Sequence, residues 1–454
     1  MRTLTFILLL TLFVPAFDEL PEALKSGTLN AQIRYYSIQR NYDELKENSD
    51  GVFDEQYSYK KASNAIGGYI GYTSREYLGI SVGATVYTSQ PIFRNPLDEG
   101  GLQLLRDDQD GYTVVGEAYL QWTKDNTLVK IGRERLSEYR FLSDMDIRMT
   151  PYTYEAAIVE NRDLENITLR IAAVKGLKSV ASTSFIDFVN AAKNPFIEQT
   201  IDRNPLRGDY DPADFDANHN YIGPKKNLYL ASIVYDDRRY HFELWDYYAV
   251  DFVNFIYTEG SYSFQTDDFR NLVALQAIKQ NNTGDSVAGS INTWEYGIKL
   301  QTSYKGLTLT YAFDRVKYDE NSLDGGSIID TWGNNMIYNS LFYNGGDQAG
   351  TTANSLTANY VFCFSDLEMI VTAAKIDLPN KLMDIFADQD NYEYDFVLKY
   401  RPDWNKKLQF KLETIYVDFN TDYNFRAYED LHGFDMLHAY DNIMDLRFIV
   451  NYTF

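Results

Sequence analysis

The chain has 454 residues, of which 42 are basic and 65 acidic, giving a formal charge of −23, and it holds 38 tyrosines, 4 histidines and 1 cysteine. A helical membrane protein is excluded, because crossing a bilayer by helix takes about 20 consecutive apolar residues, and the longest apolar stretch is Leu4 to Val14. Cys363 has no partner for a disulfide framework. The acidic balance argues against nucleic acid, whose phosphates require clustered Lys and Arg, and the scarcity of His and Cys disfavours enzyme chemistry.

Met1 to Ala16, MRTLTFILLLTLFVPA, reads as a signal peptide. Arg2 supplies the positive start, Leu4 to Val14 the apolar stretch and Val14-Pro15-Ala16 the cleavage point. Residues 1–16 are therefore expected to be removed, leaving Phe17 as the first residue. No cysteine stands at the cut, so no lipid anchor is expected.

From there on, apolar and polar residues alternate with period two, which sends successive side chains to opposite faces of a sheet. Strands are predicted near 27–41, 61–74, 77–90, 112–123, 126–135, 152–162, 165–177, 225–236 and 239–248. The second half gives 252–265, 268–281, 293–304, 306–317, 353–364, 366–378, 389–401, 406–418 and 440–454. The alternation is blurred in 152–162 and 252–265. Short turns such as Lys124-Asp125-Asn126 and Tyr304-Lys305-Gly306 alternate with long polar loops at 42–60, 91–111, 136–151, 178–224, 318–352 and 419–439. An even count of eighteen closes an antiparallel sheet with both ends of the chain on one side; without the two blurred segments the count is sixteen.

A soluble sandwich and a membrane barrel share this alternation, with opposite polarity. Strand length, aromatic residues at strand ends (Tyr392, Tyr394 and Tyr400; Trp294 and Tyr304) and one-sided long loops favour the barrel. The expected fold is all-β: one transmembrane antiparallel barrel over residues 17–454, with long extracellular loops and short periplasmic turns. Arg34, Arg170, Lys299, Lys399, Arg401, Lys411 and Arg447 then face the lumen, with Glu117, Glu295, Glu393, Asp395, Glu413 and Asp445. The opposite choice would put charge against lipid at about 2–4 kcal/mol each at midplane. Strict counting leaves Arg133 on the lipid side unless it sits at a strand end or a bulge re-aims it.

Several segments resemble the OprD-type outer-membrane porins. Gly27-Thr28-Leu29-Asn30-Ala31-Gln32-Ile33-Arg34-Tyr35-Tyr36 is similar to their first strand. Gly67-Gly68-Tyr69-Ile70-Gly71-Tyr72-Thr73 with Tyr77-Leu78-Gly79-Ile80-Ser81-Val82-Gly83-Ala84 resembles the hairpin that follows. Glu117-Ala118-Tyr119-Leu120, Lys130-Ile131-Gly132-Arg133 and the stretch Asp146 to Glu155 come in the same order. The resemblance implies an eighteen-stranded barrel, a narrow pore that passes small solutes, and an in-folded third loop as the constriction. It also implies a ladder of basic residues guiding anionic groups, and a C-terminal strand (Phe448, Tyr452, Phe454) read by the barrel-insertion machinery.

The constriction is expected near 136–151, LSEYRFLSDMDIRMTP, with Arg140, Asp144, Asp146 and Arg148 setting a transverse field. A mixed lumen with an acidic bias predicts a mild preference for cations or zwitterions. The expected function is passive, moderately selective diffusion of small hydrophilic solutes across the outer membrane. Expected partners are lipid, lipopolysaccharide, those solutes and the assembly machinery; association as a homo-trimer is left open. No catalytic residue, cofactor or metal ligand is assigned. The alternative is a barrel enzyme or adhesin without channel function, with His432, Asp435 and His438 as its candidates. The acidic stretch Asp209 to Asn220 places Asp214, Asp216 and Asn218 at calcium-loop offsets. His219 and Lys225 break that pattern, so a solvated loop is favoured.

Overall fold

The computed structural model describes residues 20–47, 53–96, 100–106, 108–142, 144, 146–192, 222–319, 321–329, 332, 337–342, 347–363, 365–378, 389–420 and 439–454. Eighteen strands result, beginning with β1 (Thr28–Glu47), β2 (Phe53–Thr73), β3 (Ile80–Pro91), β4 (Tyr112–Lys124), β5 (Thr127–Glu134) and β6 (Thr153–Asn161). There follow β7 (Ile167–Lys178), β8 (Leu228–Asp236), β9 (Tyr240–Ala249), β10 (Val253–Thr266), β11 (Phe269–Asn282) and β12 (Asn292–Tyr304). The last are β13 (Leu307–Val316), β14 (Thr352–Val361), β15 (Asp366–Leu378), β16 (Gln389–Arg401), β17 (Leu408–Asn420) and β18 (Ala439–Thr453). Each strand pairs antiparallel with the next, and β1 pairs with β18 from Gln32 opposite Thr453 to Leu45 opposite Ala439. That closure leaves no unpaired edge, which hydrocarbon would not tolerate.

The short turns gather on the rim where β1 begins and β18 ends. Lys305-Gly306 makes one of them, with φ of 44° and 87°. Glycine is needed there because a Cβ at Gly306 would meet the Val361 carbonyl oxygen at 2.6 Å. The opposite rim carries the long connections, with two exceptions: five residues join β1 to β2, and only Val250, Asp251 and Phe252 join β9 to β10.

One predicted loop is instead mostly ladder. The expected loop 42–60 is taken up by β1 and β2, which stay paired as far as Glu47 opposite Phe53. Tyr42 stacks on Tyr59 at 4.7 Å and Ser58 donates to Asp43 at 2.5 Å, so cross-strand contacts carry the hairpin beyond the apolar belt. The signal-peptide segment, the stretch 209–220, and His432, Asp435 and His438 lie outside the described residues.

The outer face is apolar. Leu29, Ile33, Ile70, Leu120, Ile171, Leu244, Leu275, Leu300, Leu356 and Leu446 are all exposed. Aromatic pairs mark the rim of short turns: Tyr240–Tyr262 at 5.1 Å, Phe269–Tyr304 at 4.9 Å and Tyr400–Phe410 at 6.5 Å. An amphipathic ring is stable at a headgroup boundary, which accounts for such a girdle. Phe448 faces outward against Tyr35 and is 40% exposed, and Tyr452 meets Phe454 edge-on at 5.0 Å.

Arg133 stays on the outer face, one residue from the end of β5. It donates to Glu155 at 3.0 Å and lies 4.4 Å over the Phe185 ring, so a neighbouring carboxylate and a ring cover it. The register shift beside it falls between Glu155 and Ala156 of β6 and does not re-aim it.

The interior is not uniformly wet. Tyr154, Ile158, Val174, Leu230, Trp245, Tyr247, Val253, Phe255 and Tyr257 face inward and are buried. They form one cluster with loop residues Leu136, Tyr139, Phe141, Leu142, Phe188, Ile328, Ile329 and Trp332. This explains the blurred alternation in β6 and β10, where both faces are apolar, one toward lipid and one beneath loops packed inside the barrel.

Candidate functional site in the barrel interior

The connection between β5 and β6 enters the barrel because it carries its own apolar anchor. Phe141 is fully buried and packs edge-on against Phe255 at 4.6 Å, Tyr257 at 5.4 Å and Tyr247 at 6.2 Å. The Tyr247 hydroxyl donates to the Arg140 carbonyl. Around this anchor, charged residues tie the segment to walls on different sides. Arg140 lies 2.7 Å from Glu243 of β9, and Glu138 takes Arg170 of β7 at 2.8 Å and Arg162 at 3.1 Å.

Asp146 reaches β1, where the Arg34 guanidinium grips both its oxygens at 2.6 and 2.9 Å. Arg34 also donates to the Arg148 carbonyl at 2.6 Å, and Tyr36 to the Ile147 carbonyl at 3.2 Å. The four residues expected to act together at the constriction therefore have separate roles. Asp144 accepts from Arg135 at 2.5 Å and from Ser137 at 3.1 Å, within its own loop. Arg148 is buried and its guanidinium donates back to the Ile147 carbonyl at 3.1 Å. Asp146 and Arg140 are the two whose partners lie across the interior from each other.

The electrostatics follow from these contacts. Burial alone would raise the Asp146 pKa, but the Arg34 guanidinium outweighs it and holds the carboxyl below the usual carboxylate range. Burial likewise opposes charge on Arg140, and the Glu243 carboxylate overcomes it, so the guanidinium stays charged.

The other expected pore-lining residues all lie on the inner face. Glu117 accepts from the Tyr87 hydroxyl at 2.6 Å, and Arg170 also holds Glu160 at 2.8 Å. Lys299 sits 4.2 Å over the Tyr338 ring. On β17 and β18, Arg447 contacts Asp445 at 3.0 Å and Glu413 at 3.5 Å, Arg40 joins Asp445 at 2.6 Å, and Lys411 pairs with Glu413. Glu393 and Asp395 are buried beside that network. Lys399 pairs with Glu368 at 3.0 Å, while Arg401 is exposed at the end of β16. Arg34, Asp146, Lys399, Arg401 and Lys411 share the lining of one cavity of about 320 Å³.

Inward-packed residues between β13 and β14, among them Ile328, Ile329, Trp332, Asn339 and Phe342, were not anticipated. Asn339 donates to Asp314 through its side chain at 2.6 Å and its backbone at 2.5 Å, and Phe342 lies 5.2 Å from the Arg447 guanidinium. Gln276 bridges Glu295 at 3.0 Å and Asp314 at 2.9 Å beneath them. The signal available was Ile328, Ile329, Trp332 and Ile337, an apolar group inside a stretch otherwise polar enough to pass for a surface loop.

No protein-family model matches the sequence, and no curated protein matches it. Solved structures do match over nearly the whole length. OccK9 (OpdG) of Pseudomonas aeruginosa aligns with a TM-score of 0.70 at 16% identity, covering 95% of this chain and 99% of that one. OccK2 (OpdF) of Pseudomonas aeruginosa, solved in complex with glucuronate, gives 0.68 at 14% identity over 95% and 98% of the two chains. OpdK of Pseudomonas aeruginosa with vanillate gives 0.65 at 15% identity over 93% and 98%. At such identities the likeness is one of architecture, and the chain has the fold of the OprD-type porins: a single closed antiparallel barrel of eighteen strands.

Proposed function

We propose that the protein is an outer-membrane channel giving passive, moderately selective diffusion of small hydrophilic solutes, such as ions, amino acids and small organic acids, through a narrow water-filled pore. The observation that carries this reading is the polarity of the closed sheet: an apolar outer face with aromatic girdles around an inner face lined by ion pairs. The segment 136–151 serves as the constriction. Its two long-range pins, Arg34–Asp146 and Arg140–Glu243, are supplied from well-separated parts of the wall. Opposed charges held on separate walls make a transverse field, which filters solutes by charge and dipole.

The cavity beside Asp146 carries Arg34, Lys399, Arg401 and Lys411 against Asp146, Asp366 and Glu368. Such a surface offers partners to a carboxylate and to an amine, and suits zwitterions and small organic acids. OccK2 and OpdK were solved with carboxylates, glucuronate and vanillate, in keeping with that choice. The reading includes residence in the outer membrane against lipid and lipopolysaccharide, removal of residues 1–16, and recognition of Phe448, Tyr452 and Phe454 by the insertion machinery. Liposome swelling with amino acids and organic acids, together with reversal potentials in a salt gradient, tests it. A reconstituted, folded barrel that neither conducts nor permits swelling refutes it.

A further inference from the structure

Away from the cavity beside Asp146, the wall of β9 and β10 gathers three metal-ligating side chains. His241 and Glu243 project from β9 two residues apart, which puts both on the inner face. The register sets Glu259 of β10 directly opposite Glu243, with Ser261 opposite His241. One ligand atom from each of His241, Glu243 and Glu259 lies within 4.8 Å of the others. Glu243 and Glu259 are both buried, at 2% and 7% exposure.

The gap between His241 and Glu243 is the telling feature. Nε2 of His241 and Oε1 of Glu243 face each other at 3.7 Å, beyond hydrogen-bond range, and neither atom has a hydrogen-bond partner among the described residues. Two ligands on one tetrahedral ion, each about 2.0–2.2 Å from it, stand roughly 3.3–3.5 Å apart. The surrounding groups orient the set. The other Glu243 oxygen accepts from Trp245 Nε1 at 2.8 Å, and one Glu259 oxygen accepts from the Tyr257 hydroxyl at 2.9 Å. Nδ1 of His241 faces the exposed Asp236 carboxylate at 3.8 Å, which leaves Nε2 turned inward. Arg140 lies 2.7 Å from the same Glu243 oxygen as an ion pair.

We propose that His241, Glu243 and Glu259 form a site for a divalent transition metal of the zinc class, and that the ion competes with Arg140 for Glu243. One imidazole nitrogen with two carboxylates is a borderline donor set that suits zinc better than the all-oxygen shells of calcium or magnesium. Water from the lumen completes the shell. Metal binding at Glu243 requires the guanidinium to swing away, so arginine and metal are alternatives at one oxygen. The inference shares Glu243 with the Arg140 pin of the 136–151 segment, and its readout is zinc affinity and not conductance.

The test is calorimetric titration of ZnCl2 into the full-length chain in detergent micelles after chelator treatment. One saturable site per chain is expected. His241→Ala and Glu259→Gln should each weaken it at least tenfold, and Arg140→Gln should tighten it several-fold by removing the competing charge. No saturable binding up to millimolar zinc overturns the proposal, as does binding that both substitutions leave unchanged, which would place the ion on other acids. Anomalous scattering at the zinc edge from crystals of the unaltered protein needs no variant. A peak within bonding distance of Nε2 of His241 supports the site, and its absence under saturating zinc overturns it.

Discussion

Phe141 is the apolar anchor of the loop inside the barrel, and its truncation isolates what that anchor contributes. The ring is fully buried between Tyr247, Phe255 and Tyr257. Phe141→Ala removes it from a rigid aromatic wall that cannot collapse into the space, so the loss falls at about 3–5 kcal/mol. At about 1.4 kcal/mol per tenfold change, docking of the segment weakens by roughly two to three and a half orders of magnitude. The barrel itself is held by eighteen backbone ladders that Phe141 does not join, so the variant should still fold. The remaining pins, Arg34–Asp146 and Arg140–Glu243, then hold a loosened loop. Single-channel recording in planar bilayers should show a larger mean conductance or open-channel flicker absent from the unaltered protein. Leu356→Ala, an outward residue 57% exposed, serves as the control and should change neither. A Phe141→Ala channel with the same conductance and the same noise would refute the assignment of the loop as the constriction.

Asp146→Asn removes the carboxylate that Arg34 grips, leaves a buried cation uncompensated, and should shift the reversal potential toward anions. The pH dependence follows with a definite sign. Because the folded-state pKa of Asp146 is depressed, the link contributes above the unfolded value, about 3.9, and is lost only as pH falls through the lower folded value. Conductance noise should therefore stay flat from pH 7 down to about 4 and rise below it; a transition near pH 6 would count against the assignment. Replacing Lys399, Arg401 and Lys411 together with Gln should lower the permeability of small organic acids several-fold relative to amino acids, read by liposome swelling. Phe448→Lys turns a charge toward lipid near the middle of β18 at about 2–4 kcal/mol, and should reduce the folded fraction on an unheated gel after insertion. Full insertion would mean that this face does not meet hydrocarbon.

Much of this architecture was legible because a barrel strand must solve a local problem. Each residue faces lipid or interior, so period two is written into the chain strand by strand, and β15 and β16 fall on the expected 366–378 and 389–401. The inward placement of Arg34, Arg170, Lys299, Glu413, Asp445 and Arg447 follows from the same parity. Arg133 shows the limit of that rule. Its outward position was countable, but the Glu155 carboxylate and the Phe185 ring that cover it come from elsewhere in the chain. The hairpin of β1 and β2 runs past the expected loop start because cross-strand pairs, invisible in one strand alone, sustain it.

The interior loops were harder, since a loop has no period. Ile328, Ile329 and Trp332 advertise burial without saying against what, and their partners, such as Phe252 and Phe255, lie on a different hairpin. The same holds for His241 and Glu259, eighteen positions apart and brought together only by the register of β9 on β10. The sequence alone determined which residues face lipid and which face inward, because that choice is made residue by residue against the solvent on each side. Which of the inward residues meet, and which loops fill the space between them, was decided only by closure of the barrel, because distances across an enclosed volume depend on every strand around it.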